Sequence, residues 1–160
     1  MSDWKTANQG AELKSFCARG SRLVAAGAGD ATEVTGIGVD RKGYGSAKLV
    51  IAAHCINTAA QKLQLTSVKL AYAPDNGSGA PGSYGSDVEQ LAAAFDLVVG
   101  TGDNYGQYEL DIDFTGKDQW VRVKYTPDST AGSADLAEVT ATFICGGAMP
   151  GVVQPVTRSV

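Results

Sequence analysis

Residues 108–128, YELDIDFTGKDQWVRVKYTPD, alternate apolar and polar side chains with a strict period of two. Tyr108, Leu110, Ile112 and Phe114 take one parity against Glu109, Asp111 and Asp113. After a turn at residues 115–118, Val121, Val123 and Tyr125 take one parity against Trp120, Arg122 and Lys124. Successive side chains of a strand point to opposite faces, so each run buries one face and leaves the other in water. The spacing predicts an antiparallel hairpin. Its residue types serve structure, and no catalytic side chain sits on it.

Outward from this segment the chain reads as strands separated by turns. Residues 22–26 (RLVAA) and 33–39 (EVTGIGV) predict two short strands, the glycines of the second marking a bulge or a close approach. AKLVIAAHC (47–55) predicts a strand buried on both faces. Residues 62–72 predict a long strand with a phase slip: Leu63 and Leu65 share one parity, Val68, Leu70 and Tyr72 the other, which a β-bulge near Ser67 reconciles. PDNGSGAPGSYGS (74–86) is a loop by composition. Residues 87–100 predict a short helical turn, from the Ser86–Glu89 spacing, followed by a strand. Val139, Ala141, Phe143 and Cys145 share one face of a last strand over residues 136–145. The expected fold is an all-β, single-domain antiparallel β-sandwich, with a jelly roll as one topology. An N-terminal arm (1–20) precedes the sandwich (21–149), and an extended C-terminal tail (150–160) follows it. Within the arm, residues 11–18 suit a short helix as well as an extended chain.

Composition agrees with that architecture. The chain has 160 residues, 44% hydrophobic and only 19% charged, with 20 glycines. That length suits one domain with a real core, and the glycine content suits short strands and tight turns over a helical bundle. A net charge of −4 argues against a general nucleic-acid binder, which carries a basic face. No apolar run approaches the roughly 20 residues that cross a bilayer. The opening MSDWKTANQG lacks the apolar core of a secretory leader. Nucleic acid and membrane are therefore not expected partners, and reduced thiols in a cytosol are expected. Cys17, Cys55 and Cys145, odd in number and scattered, read as small buried hydrophobes.

The reactive side chains do not assemble into a familiar constellation. Ala52-Ala53-His54-Cys55 is similar to the segment that carries the catalytic histidine of chymotrypsin-like serine proteases. That chemistry needs a serine nucleophile, oxyanion-hole amides and an orienting aspartate. No GDSGG-like segment follows, and the loose aspartate candidates, Asp111 and Asp113, belong to a patterned strand face. His54 is the sole histidine, and its neighbour Cys55 points to the opposite face of the strand, so the two cannot share one ion. Glu109, Asp111 and Asp113 point one way and could hold Ca²⁺, but a solvated face offset by Arg122 and Lys124 across the hairpin is the commoner arrangement. Paired carboxylates also serve glycoside hydrolysis, but no apolar pocket signal accompanies these. The glycines of GIGVDRKGYG lack the Lys-Ser/Thr of a phosphate loop. Catalytic, cofactor and metal residues are accordingly expected to be none, and the protein is not expected to be an enzyme. Trp4 and Trp120 stand apart from any local core and call for something to bury against, such as another subunit.

The run YELDIDFTGKDQWVRVKYTPDSTAGSADLAEVTATFICGGAMP (108–150) resembles the decoration, or cement, proteins that coat capsids of tailed bacteriophages. The likeness rests on LDIDFTG, an aromatic followed by VRV, the TPD turn, and a small-residue strand closing on Gly146-Gly147. It extends loosely back to residue 33. It implies a β-sandwich on the capsid exterior of a virion, made in the host cytoplasm. Its partners would be the major capsid protein and its own copies, as a homotrimer, with no catalytic residues. Contact residues expected on this reading are Trp4, Phe16, Arg19, Arg22 and Trp120. The alternative is a ligand-binding sandwich, carbohydrate-binding or adhesive, for which Trp120, Tyr105 and Tyr84 would align as one aromatic platform.

Overall fold

The computed structural model describes residues 14–85, 88–130 and 135–148. Every regular element among them is a strand: β1 (Lys14–Val24), β2 (Val34–Thr35), β3 (Val39–Asp40), β4 (Tyr44–Ala73), β5 (Val88–Ala92), β6 (Phe95–Asp113), β7 (Trp120–Ser129) and β8 (Leu136–Ala148). Every pairing is antiparallel. The expected all-β single domain is what forms.

Two strands are far longer than the usual five or six residues: β4 runs for 30 residues and β6 for 19. β6 follows one edge of β4 from Ser46↔Asp113 to Leu65↔Phe95. β8 takes the other edge along the first half of β4, and β7 takes it along the second half. The register of β4 against β6 breaks between Asn57 and Gln61, and β7 and β8 are separated at the same level. There the ribbon folds over, as sandwich corners do where strands change sheet. All eight strands are hydrogen-bonded into one sheet that folds over on itself; the first layer, or first sheet, is β1, β8, the first half of β4 and the second half of β6, and the second holds β5, the first part of β6, the second half of β4, β7 and the short β2 and β3.

The fold-over buries the inner parity of both sheets. Leu49, Ile51, Leu63, Leu65, Leu70, Val121, Val123, Tyr125, Val139 and Phe143 are inaccessible to water, and each aliphatic side chain so buried contributes about 1.5–3 kcal/mol. The sheets also meet along their rims. Gly36 N–H donates to the Val123 carbonyl (2.8 Å) and Ile37 N–H to the Ala18 carbonyl (2.9 Å), so residues 36–37 stitch β7 to β1. A Cβ on Gly36 would lie 2.8 Å from the Val123 oxygen, the close approach that the EVTGIGV glycines predict. Inside, the Tyr125 hydroxyl meets Ser21 Oγ at 2.9 Å. At the opposite rim Phe95 packs on Tyr108, ring centroids 4.1 Å apart, joining the two arms of β6.

Several sequence expectations are corrected. Residues 108–125 do not form a hairpin: among the described strands β6 pairs with β4 alone, and β7 pairs with the second half of β4. The connection is anchored when Phe114 N–H donates to the Gly45 carbonyl (3.0 Å), and Asp113 Oδ1 accepts from the Thr115 N–H at 2.9 Å. Residues 47–55 are buried on one face only: Leu49, Ile51, Ala53 and Cys55 face the core, while Lys48, Val50, Ala52 and His54 face outward. They continue unbroken into the segment at 62–72. Residues 88–92 are strand, paired with β4, where a helical turn is expected. Residues 14–20, assigned to the arm, are part of β1; residues 1–13 and 149–160 lie outside the described residues. The bulge near Ser67 is present, as a register shift between Leu65 and Ser67 against β7.

Gly106 faces inward opposite Ala53, where the Leu97 carbonyl of the folded-over strand comes so close that a Cβ would collide with it. Gly106→Ala is expected to lower stability by about 1–3 kcal/mol in urea unfolding. Gly45→Ala, whose Cβ would meet only the Gly147 oxygen at 3.6 Å, is expected to leave the midpoint nearly unchanged.

Candidate functional site

Cross-strand pairing lays Arg22, Glu138, His54 and Tyr105 in one row across the outer face of the first sheet, over β1, β8, β4 and β6. The adjoining rows are Val24, Leu136, Ile56 and Asp103 on one side, and Gly20, Thr140, Ala52 and Gln107 on the other. His54 Nε2 lies 2.5 Å from Oδ1 of Asp103, its diagonal neighbour. The imidazole stacks on the Tyr105 ring, centroids 4.6 Å apart and planes 16° off parallel. Tyr105 is nonetheless 74% exposed and Ile56 51%. A depression of about 150 Å³ is lined by Arg22, His54, Ile56, Leu136 and Glu138. It adjoins an open hollow of about 340 Å³ lined by Gly20, Ser21, Arg22, Glu138 and Thr140.

His54 and Asp103 make the orienting half of an acid–base relay, with Asp103 in the place for which sequence offers Asp111 and Asp113. Among the described residues no serine or cysteine lines the depression beside them. Cys55 faces the core, and burial pushes its thiol up. Cys145 is likewise pushed up by burial, to about 12.

The carboxylate row is neutralised from β4, not from β7. Lys48 Nζ sits 2.9 Å from Asp111 and 3.3 Å from Glu109, because β6 pairs with β4. Bonds to Asp111 and then Glu109 raise the Lys48 ammonium above its ordinary range. Among the described residues no three His, Cys, Asp or Glu side chains gather as a metal site. Arg122 and Lys124 lie instead on the outer face of the second sheet. There Lys69 and Lys124 oppose each other directly, and Glu33 lies between them, 2.6 Å from Lys124 and 3.6 Å from Lys69.

The residues expected to contact a capsid or subunit are dispersed. Trp4 lies outside the described residues. Phe16 is buried, edge-on to Tyr44 with centroids 6.4 Å apart. Arg19 is exposed at the bulge of β1, and Arg22 stands in the row beside Glu138. Trp120 is half-buried and donates its indole N–H to Asp75 Oδ2 at 3.3 Å. Tyr84, from the same loop, packs beneath the Arg122 guanidinium, 3.8 Å from the ring centroid. Trp120 on β7 and Tyr84 from the covering loop thus lie on the second sheet, and Tyr105 on the bare face of the first, so the three do not form one platform. Sequence reasoning missed Asp103 and Glu138, whose relation to His54 exists only in the strand register.

The architecture is that of an antiparallel β-sandwich. No protein-family model matches the chain, and no curated protein matches it. Solved structures of similar shape include infectious bursal disease virus Gt strain, at 12% identity and a TM-score of 0.48, covering 83% of this chain and 32% of that one. Another is the SPBc2 prophage-derived protein YomS, at 11% identity and a TM-score of 0.30, covering 81% and 92%. A third is tailspike protein 4 of bacteriophage CBA120, at 10% identity and a TM-score of 0.35, covering 81% and 18%. The chain spans about a third of the length of the bursal disease virus chain.

Thiol labelling checks the cysteine placement: Cys17, exposed on β1, should react within minutes under native conditions, as an accessible thiol does, and Cys55 and Cys145 only after unfolding. A pH titration checks Glu33, whose carboxyl the Lys124 hydrogen bond holds below the usual 4.5. A depressed folded-state value means that its contribution is complete above the unfolded value and is lost as pH falls through the folded one. The small Tm gap between wild type and Glu33→Gln should therefore be open at neutral pH and close in acid.

Proposed function

We propose that this protein is a structural virion protein that binds the outer surface of a capsid and strengthens the shell by bridging neighbouring major-capsid-protein subunits, as a homotrimer. It works by gripping rather than by reaction. The resemblance of residues 108–150 to phage decoration proteins supports the reading, and so does a self-sufficient sandwich whose reactive groups are kept apart: Cys55 is turned away from the His54–Asp103 pair.

The observation that carries it is the outer edge of β1. That strand pairs with β8 on one side; among the described backbone groups outside β8, the Ile37 N–H reaches the Ala18 carbonyl, and at the strand's end Val24 bonds to Ala28 and Gly27. Its bulge presents Arg19 to solvent, and the chain continues directly into residues 1–13 with Trp4. An edge strand with open amides and carbonyls is a ready acceptor for a strand of another subunit. Weak contacts of this kind multiply over a symmetric lattice into firm attachment.

Cosedimentation with assembled shells of the capsid protein encoded in the same genome tests the proposal. The protein should pellet with shells at a saturable ratio, and deletion of residues 1–13 should leave a folded sandwich that binds at least about tenfold more weakly. Wild-type protein remaining in the supernatant at every ratio would sink the virion reading. Unchanged binding of the truncated protein would sink the role of the arm.

A further inference from the structure

The outer face of the first sheet divides along its middle. On the β4 and β6 side stand two of the most exposed large apolar side chains among the described residues, Ile56 and Tyr105, in neighbouring rows. Tyr105 is held in place, one face of its ring on His54, which Asp103 fixes from the side. On the β8 and β1 side lie the two hollows. The smaller opens over Leu136, Glu138 and Arg22 and is bounded toward β4 by His54 and Ile56. The larger lies over Gly20, Ser21, Arg22, Glu138 and Thr140. Arg22 and Glu138 are cross-strand neighbours, yet among the described residues neither forms an ion pair. Projections on one half and hollows on the other are what a surface needs in order to meet itself.

We propose that this face binds the same face of a second copy of the chain, across a two-fold axis that runs along the strands between β8 and β4. Such an axis makes the contact isologous and exchanges the halves. β8 comes to lie over the second copy's β4, and β1 over its β6, at the same height along the strands. Ile56 of each copy then enters the smaller hollow of the other beside Leu136, and Tyr105 enters the larger beside Gly20 and Arg22. Arg22 meets the Asp103 carboxylate, which is 64% exposed, and Glu138 meets His54. At the centre Thr140 meets Ala52, small enough for two sheets to pack about 10 Å apart. The charges select this axis. A two-fold running across the strands would lay β6 on β6 and set Asp103, Glu109, Asp111 and Asp113 against their own copies, which like charges oppose. The face is also large enough. Four strands about 4.8 Å apart, followed at about 3.3 Å per residue from Ser46 to Ile56, span roughly 700 Å² per copy. A standard specific interface covers about 800 Å² per partner. The two-fold contact uses the sheet face and leaves the edge of β1 free, so it stands apart from the shell reading and can coexist with it.

Sedimentation equilibrium of the full chain, without shells, tests it. The chain should associate reversibly to an even number of copies, two, or six where a three-fold contact also forms, with a Kd of about 1–100 µM. A contact this weak opens continually, so Cys17, at the rim of the face opposite Glu109, stays within reach of a labelling reagent. Ile56→Asp should weaken association at least about tenfold. Val99→Asp, at a comparably exposed position of β6 beyond the bend, should leave it unchanged and serves as the control for fold and solubility. Arg22→Glu should weaken association severalfold, and adding Asp103→Arg to the same chain should restore most of it, because the two-fold sets each against the other. The proposal is overturned if the wild type stays monomeric or purely trimeric up to about 500 µM, a range that a Kd above 1 mM would define. It is overturned equally if Ile56→Asp associates as well as wild type, if Val99→Asp weakens association as much as Ile56→Asp does, or if the charge exchange restores nothing. None of these outcomes bears on cosedimentation with shells.

Discussion

The architecture depends on two strands that each belong to both sheets. Where β4 and β6 fold over, their ladder is interrupted and its backbone groups need other partners. Asn57 and Asp135, the buried polar side chains of the core, supply them. Asn57 Nδ2 donates to the Gly100 carbonyl at 3.0 Å, and the Asp135 carboxylate accepts the Thr58 N–H with both oxygens at 3.1 Å. The Asp135 carbonyl accepts the Ala25 N–H as well, at 2.9 Å. Leaving one such group unsatisfied costs about 1–3 kcal/mol. The bend is thus fixed at one place along each strand, and everything else follows its position: which residues of β4 meet β8, which meet β7, and which side chains the two faces present.

The two outer faces are treated differently. The second sheet is covered by the loop at residues 74–85, pinned through Trp120 to Asp75 and through Arg122 to Tyr84. The first has no covering segment among the described residues, and its side chains across the centre, Gly20, Thr140 and Ala52, are small. The charged residues there collect toward β6, where Asp103, Glu109, Asp111 and Asp113 line the outward parity of a strand unpaired on its far side. Such charges keep a bare edge from pairing with its like.

Period-two alternation made the core residues legible, since it reports which face a side chain takes. It does not report which strand lies alongside, and the same alternation in 108–125 is equally compatible with a hairpin and with two strands of different sheets. The bulge near Ser67 was readable because it switches the apolar parity, from Leu63 and Leu65 to Val68 and Leu70. β1 was hidden for the same reason in reverse: its register shift between Cys17 and Arg19 breaks the alternation in a segment too short to show it twice. The strands expected over 47–55 and 62–72 are one, and the stretch between Cys55 and Lys62 is the outer bend of that continuous strand. His54 was visible as an isolated group. Its partners Asp103 and Tyr105, about fifty positions away, could be found only once β4 was known to lie against β6.

The pairing of β1 with β8 bears on how the molecule comes to be made. Val24 finds Leu136, and Phe16 finds Phe143, so the first of the described strands to be synthesised waits for the last of them. β4 likewise waits for β5 and β6 along one edge and for β7 and β8 along the other. Non-local ladders of this kind close slowly, because a long loop must be ordered before any contact rewards it. The nascent chain therefore carries a 30-residue apolar-striped ribbon with one edge unsatisfied until β7 and β8 are made, and its yield in a crowded cell will be governed by how well that interval is shielded from other copies of itself.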